Sequence, residues 1–183
     1  MEKRIFDDEG RYLAANARES IASALGKRAP DWPAGPEGAG LARGAGAFVT
    51  LREGGSLRGC IGRMSSDEPL VQTVRAMARS AAFDDPRFPP LRADELDRVE
   101  IEITLLSPMR LASGPGDIVA GRHGVLMSLR GRSAVFLPQV ATEQGWKRED
   151  LLEHLCYKAG LPGDAWRDPG TVFQLFEGRV IEE

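Results

Sequence analysis

The chain has 183 residues, 42% hydrophobic and 28% charged, which excludes a wholly disordered polymer and fits one domain with a real hydrophobic core. A net charge of −3 supplies no global attraction to nucleic acid or anionic lipid, so binding of either would need a local basic patch. No stretch approaches the roughly 18 apolar residues that span a bilayer, and the N-terminus turns acidic at Asp7-Asp8 before any apolar signal core develops.

The first helix is expected from Asp7 or Asp8, either of which can cap it. Leu13, Ala17, Ile21, Ala24 and Leu25 recur at helical spacing, and Gly26 and Pro30 end the run. Residues 30–46 read as a Gly/Pro-rich mobile surface loop within the domain. Inside it, Gly44-Ala45-Gly46 precedes a strand and opens no helix, so it is no phosphate-binding fingerprint. Ala47 to Arg52 and Ser56 to Ile61 predict a hairpin turning at Gly54-Gly55. A second helix follows, with Ser65 and Glu68 as a capping box and Leu70, Val74, Met77, Ala78 and Ala81 on its buried face. The turn-rich segment from Phe83 to Pro90 stops it.

From Arg98 to Leu106 the pattern alternates, with Val99, Ile101, Ile103 and Leu105 inward, as in a half-buried antiparallel strand. Gly124 to Leu129 and Ser133 to Leu137 predict another hairpin through Arg130-Gly131, and Thr171 to Phe176 a further strand. The last helix is expected from about Arg148 to Ala159, with Gly160 as its C-cap. Helices and hairpins interleave without a βαβ rhythm, so residues 1–183 are expected to form a single α+β domain, mainly antiparallel sheet with packed helices.

The chemistry concentrates at Leu57-Arg58-Gly59-Cys60-Ile61-Gly62. If Leu57 and Ile61 face the core, Arg58, Cys60 and Gly62 share the opposite face, with neighbours about 6.6 to 7 Å apart. Arg58 would then flank the sulfur and favour its thiolate, and Gly59 and Gly62 would let backbone or ligand come close. Alternatively, Cys60 is a small buried hydrophobe and the glycines serve a tight turn. His123, at the mouth of a strand, and His154 are the only imidazoles; His123 is a base or a turn residue, and His154 lies on a solvated helix face. In Asp84-Asp85-Pro86-Arg87, Arg87 is an anion clamp oriented by Asp84 or Asp85, with Asp85 a further candidate base, or the group is a helix-terminating turn with a local salt bridge. Cys60 and Cys156 are too few for a disulfide framework or a zinc cage, and free thiols suit a reducing, cytoplasmic compartment. No HExxH, paired CxxC or GxSxG is present, and no motif names a cofactor.

These residues closely resemble the AMMECR family, named after a human chromosomal deletion region, whose bacterial members are called AmmeMemoRadiSam system protein A. The resemblance is carried by Phe48-Val49-Thr50-Leu51, by the Leu-Arg-Gly-Cys-Ile-Gly string at 57–62, and by Ala82 to Pro90. It continues through Gly121-x-His123-Gly124, Phe136-Leu137-Pro138-x-Val140, Glu143 to Trp146 and Lys158 to Leu161. It implies an α+β fold with a larger and a smaller lobe, a cleft lined by the motif residues, and no settled biochemical activity. It also implies association with a Memo-like protein (related to extradiol dioxygenases and LigB) and a radical SAM protein. Arg63 departs from the family where a small hydroxyl residue is common, making the site more basic, and Gln139 stands where an acid is frequent. Two functions from different classes stay open. One is a cysteine-centred enzyme acting on a small anionic substrate, with Cys60, His123 and Asp85 catalytic and Arg58, Gly59, Gly62, Asp84 and Arg87 binding. The other is a non-catalytic adaptor that holds a peptide or protein in the same place.

Overall fold

A computed structural model describes residues 2–40, 42 and 45–183; Gly44 of the Gly44-Ala45-Gly46 run lies outside them. The fold is α+β with antiparallel strand pairing. The chain forms two compact units, a larger one of Met1–Leu106 with Arg179–Glu183 and a smaller one of Ser107–Gly178.

In the larger unit, helix α1 (Glu2–Leu25) begins ahead of Asp7 and Asp8, so neither is its cap. Strands β1 (Ala47–Glu53) and β2 (Ser56–Arg63) form the expected hairpin, with Gly54 and Gly55 both at positive φ, the requirement of a tight two-residue turn. Helix α2 (Leu70–Phe83) has Pro69 at its N-cap and no side-chain cap. The Ser65–Glu68 capping box does not form; the Glu68 N–H instead takes the hydroxyl of Ser66 at 3.2 Å.

Strand β3 (Val99–Leu106) pairs with β1, giving the order β2-β1-β3 with the end of β7 (Val172–Glu182) beside β3. One face of this sheet carries Val49, Leu51, Ile101 and Ile103, which pack with Leu13 and Ile21 of α1 and Val74 of α2 into a fully buried core. The predicted alternation holds to Ile103 and then fails. Thr104 and Leu106 are buried and Leu105 only half-buried, so the more covered face changes at that end of the strand. The 30–46 segment has no regular structure among its described residues and is tied down at several points. Gly40 accepts from the Val71 N–H, Ala42 from the Leu70 N–H, and the Trp32 ring lies 3.6 Å from the Arg75 guanidinium.

In the smaller unit, β5 (His123–Leu129) and β6 (Arg132–Phe136) form the second predicted hairpin, turning at Arg130 and Gly131 with positive φ. β7 pairs with β5 on one edge and with the short β4 (Arg110–Leu111) on the other. Helices α3 (Pro138–Gln144) and α4 (Arg148–Lys158) cover these strands and bury Leu151, Leu152, Leu155 and Cys156 against Val125, Met127 and Leu175. The periodicity reading finds α4 and misses α3, a two-turn helix too short to show an apolar stripe.

Candidate functional site

β2 is an edge strand of the larger unit, and the motif lies along it. Its register against β1 shifts between Leu51 and Arg52, so Leu51 faces Gly59 but Arg52 faces Leu57. Arg58 is the extra residue of a β-bulge, which breaks the alternation around it. Leu57, expected inward, is 38% exposed. Beyond the bulge the alternation resumes. Gly59 and Ile61 turn toward the helices, while Cys60 and Gly62 lie opposite Thr50 and Phe48 on the other face.

The two glycines have packing reasons. A Cβ on Gly59 would collide with the carbonyl oxygen of Ala81, because α2 rests directly on the strand there. A Cβ on Gly62 would collide with the ring of Phe48. Their missing side chains therefore admit a helix and a ring.

Arg58 does not flank the sulfur as a free cation. Its Nε and Nη2 donate to the two oxygens of Glu95 at 2.8 and 3.2 Å, and Nη1 donates to the Pro89 carbonyl at 3.0 Å. Glu95 also accepts the Arg92 N–H at 2.8 Å. The Arg58 guanidinium, then that N–H, hold its carboxyl below the usual range against the opposing effect of burial. Glu95 was not legible as a site residue. It sits in a 3-10 turn, Ala93–Arg98, whose polar sequence reads as loop; the one clue is that a buried arginine needs an acid.

Asp85 and Arg87 do come to Cys60. The Cys60 N–H donates to Asp85 Oδ2 at 2.9 Å. Arg87 grips the same carboxylate bidentately, Nε to Oδ1 at 2.9 Å and Nη2 to Oδ2 at 2.7 Å, and Nη2 also donates to the Cys60 carbonyl at 3.2 Å. Asp85 is buried, and the Arg87 guanidinium, helped by the Cys60 and Arg87 backbone N–H groups, holds its carboxyl far below the usual range even though burial opposes this. Such a carboxylate is a weak base. Asp84 is exposed and caps the C-terminal end of α2 through its N–H to Ser80; it does not orient Arg87.

The Cys60 thiol is half-buried, and the Thr50 hydroxyl donates to its sulfur at 3.2 Å. Thr50 lies in one of the segments that carry the family resemblance, but only the cross-strand register that pairs it with Cys60 brings it to the site. His123 belongs to the smaller unit. It is buried, its Nδ1 accepts the Val119 N–H at 3.1 Å, and Nε2 lies 3.9 Å from Glu177. Burial first, then Arg110 and Arg122, push its pKa down, so the ring is neutral near pH 7 with its proton on Nε2. His154 stacks on Trp146 with centroids 4.0 Å apart. Cys156 is fully buried beside Met127, and burial pushes its thiol up. Among the described residues no group of three or more His, Cys, Asp or Glu could hold a metal, and no helix is long and apolar enough to cross a membrane.

Fold and site together define an α+β protein that presents a cysteine on a strand edge clamped by an Asp–Arg pair. Residues 14–181 match the model of the AMMECR1 family. Protein NEQ441 of Nanoarchaeum equitans is 43% identical over 146 residues, covering 76% of this chain and 81% of its own. Protein MK0488 of Methanopyrus kandleri is 38% identical, covering 100% and 92%. The crystal structure of the uncharacterised protein PH0010 from Pyrococcus horikoshii superposes with a TM-score of 0.81 at 36% identity, covering 96% of this chain and 91% of that one. The chain belongs to the AMMECR1 family.

Proposed function

We propose that the Cys60 edge of β2 is an anion-recognition site: Arg87 and Arg63 attract the ligand, and the Cys60 thiol and Thr50 hydroxyl contact it. The observation that carries this reading is the state of Arg87. Its side chain is 54% exposed over a buried Asp85 that fixes its orientation, and neither N–H of Nη1 makes a hydrogen bond among the described residues. A guanidinium held by one carboxylate with donors left over is preorganised for a second oxyanion. Arg63, one residue beyond the motif glycine, is exposed and adds positive charge.

Holding a ligand is favoured over acid–base chemistry, because Asp85 is a weak base. A covalent role for Cys60 is the second reading, and one observation favours it. The Thr50 hydroxyl on the sulfur supplies a donor where negative charge would develop. The Memo-like and radical SAM proteins implied by the resemblance are the first partners to try as sources of the anionic group. The free thiols suit a cytoplasmic, reducing compartment.

Alkylation tests the reading. Cys60 labelling by iodoacetate, an anion, and by iodoacetamide, its neutral counterpart, is followed by mass spectrometry, with buried Cys156 as internal control. The iodoacetate-to-iodoacetamide ratio is expected to fall by about threefold or more in Arg87→Gln, and inorganic phosphate is expected to protect the wild-type thiol. An unchanged ratio without phosphate protection overturns the proposal.

A further inference from the structure

The Asp85–Arg87 pair occupies the place that another strand would take beside Cys60. Its carboxylate accepts the Cys60 N–H and its guanidinium donates to the Cys60 carbonyl, the two bonds that a directly opposed residue makes in an antiparallel ladder. Backbone polar groups along a strand alternate between its two edges. Gly62, two residues on and opposite Phe48, therefore turns its N–H and C=O outward as Cys60 does. Neither group makes a hydrogen bond among the described residues. Among the described residues the edge is plugged at Cys60 and open at Gly62.

From this edge we infer that β2 accepts the C-terminal end of a peptide, laid antiparallel against Gly62 with its terminal carboxylate on Arg87. The inference rests on the reading of Arg87 as an anion-binding group and names the class of anion. A chain paired with Gly62 and running toward Cys60 meets the Asp85–Arg87 pair about 7 Å further on and has to end there. An acidic side chain within a continuing strand would require the backbone to pass through those two residues. β2 runs from Ser56 to Arg63, so a chain whose last residue lies at the Cys60 end runs the opposite way. Its penultimate residue then exchanges both backbone hydrogen bonds with Gly62, and its carboxylate falls where Nη1 of Arg87 has donors to give. Recognition of this kind uses main-chain pairing for affinity and a charge for the chain end.

The probe is an acetylated hexapeptide of alternating Thr and Val, observed through the backbone amide resonances of the full chain. It is used with a free C-terminal carboxylate, as the C-terminal amide, and as the free acid N-methylated at its penultimate residue. The free acid is expected to shift the Gly62 and Arg63 amides and to bind about tenfold tighter than either other form. N-methylation of the last residue, whose N–H points away from β2, is expected to change nothing. If inorganic phosphate protects Cys60 while the free acid leaves Gly62 unmoved, the peptide inference fails and the anion site stands. If neither ligand perturbs the edge, both fail. Equal binding of acid and amide at Gly62 overturns the carboxylate assignment.

Discussion

Two arginine–carboxylate pairs bracket the same few residues of β2 and end in opposite conditions. Arg58 and Glu95 are both covered, their side chains 12% and 11% exposed, and Arg58 donates from Nε, Nη1 and Nη2 to groups of the protein. In the other pair only the acid is covered, and the two donors of Arg87 Nη1 make no hydrogen bond among the described residues. Both pairs are bidentate, so the pairing geometry does not separate them; burial of the cation does. A buried guanidinium with all its arms engaged can only hold the fold together. One that caps a buried acid from outside holds the fold and still offers a surface to a ligand.

The largest expected effect comes from stranding the buried cation. Glu95→Ala leaves Arg58 charged, covered and without its acid, at a cost of about 3–5 kcal/mol, read as a lower urea midpoint with an unchanged slope. Asp85→Asn removes the ion pair at the strand edge, but Arg87 can return to water, so the expected loss is about 1–3 kcal/mol. Equal losses would break the contrast between the pairs. Acid titration sharpens it. Asp85 and Glu95 both have folded values below the ordinary carboxylate range, set first by Arg87 and first by Arg58. A lowered carboxylate stabilises the fold above its unfolded value of about 3.9–4.3, and that contribution is lost as pH falls toward the folded value. The stability difference between wild type and Asp85→Asn should be flat from neutrality to about pH 5 and should shrink below about pH 4.

The same contrast shows what could be read in advance. Both hairpins, α2 and α4 were legible because their turns carry glycine at positive φ and their apolar residues repeat at one period over enough residues. That Arg87 would hold an Asp of its own loop was legible too, since Pro86 and the short spacing leave few alternatives. The partner of Arg58 was not, because Glu95 lies 37 residues away and no local pattern links them. The face of Arg58 was misread for a related reason. A bulge inserts one residue and shifts the side chains beyond it, and nothing in Ser56 to Gly59 announces it. Gly59 and Gly62 stood out correctly as places of close approach, but what approaches is α2 and Phe48, elements whose positions only the tertiary fold supplies.

The smallest expected stability effect tests the contrast from its other side. Arg87→Gln takes away a half-exposed cation and leaves the buried Asp85 carboxylate with the Cys60 and Arg87 backbone N–H groups as donors, so the expected cost is about 1–2 kcal/mol. If Arg87 were there only to shield the strand edge, stability and anion response would fall together and by little. If it serves a ligand, phosphate protection of Cys60 should disappear in protein that is still fully folded in the absence of urea, with only a modest fall in the urea midpoint. Arg58→Gln should do the reverse, lowering the unfolding free energy by about 3 kcal/mol or more, with a matching fall in the urea midpoint, while phosphate protection stays. Because both substitutions remove one positive charge from the same strand neighbourhood, a difference in pattern between them cannot come from net charge. It has to come from which guanidinium faces the solvent.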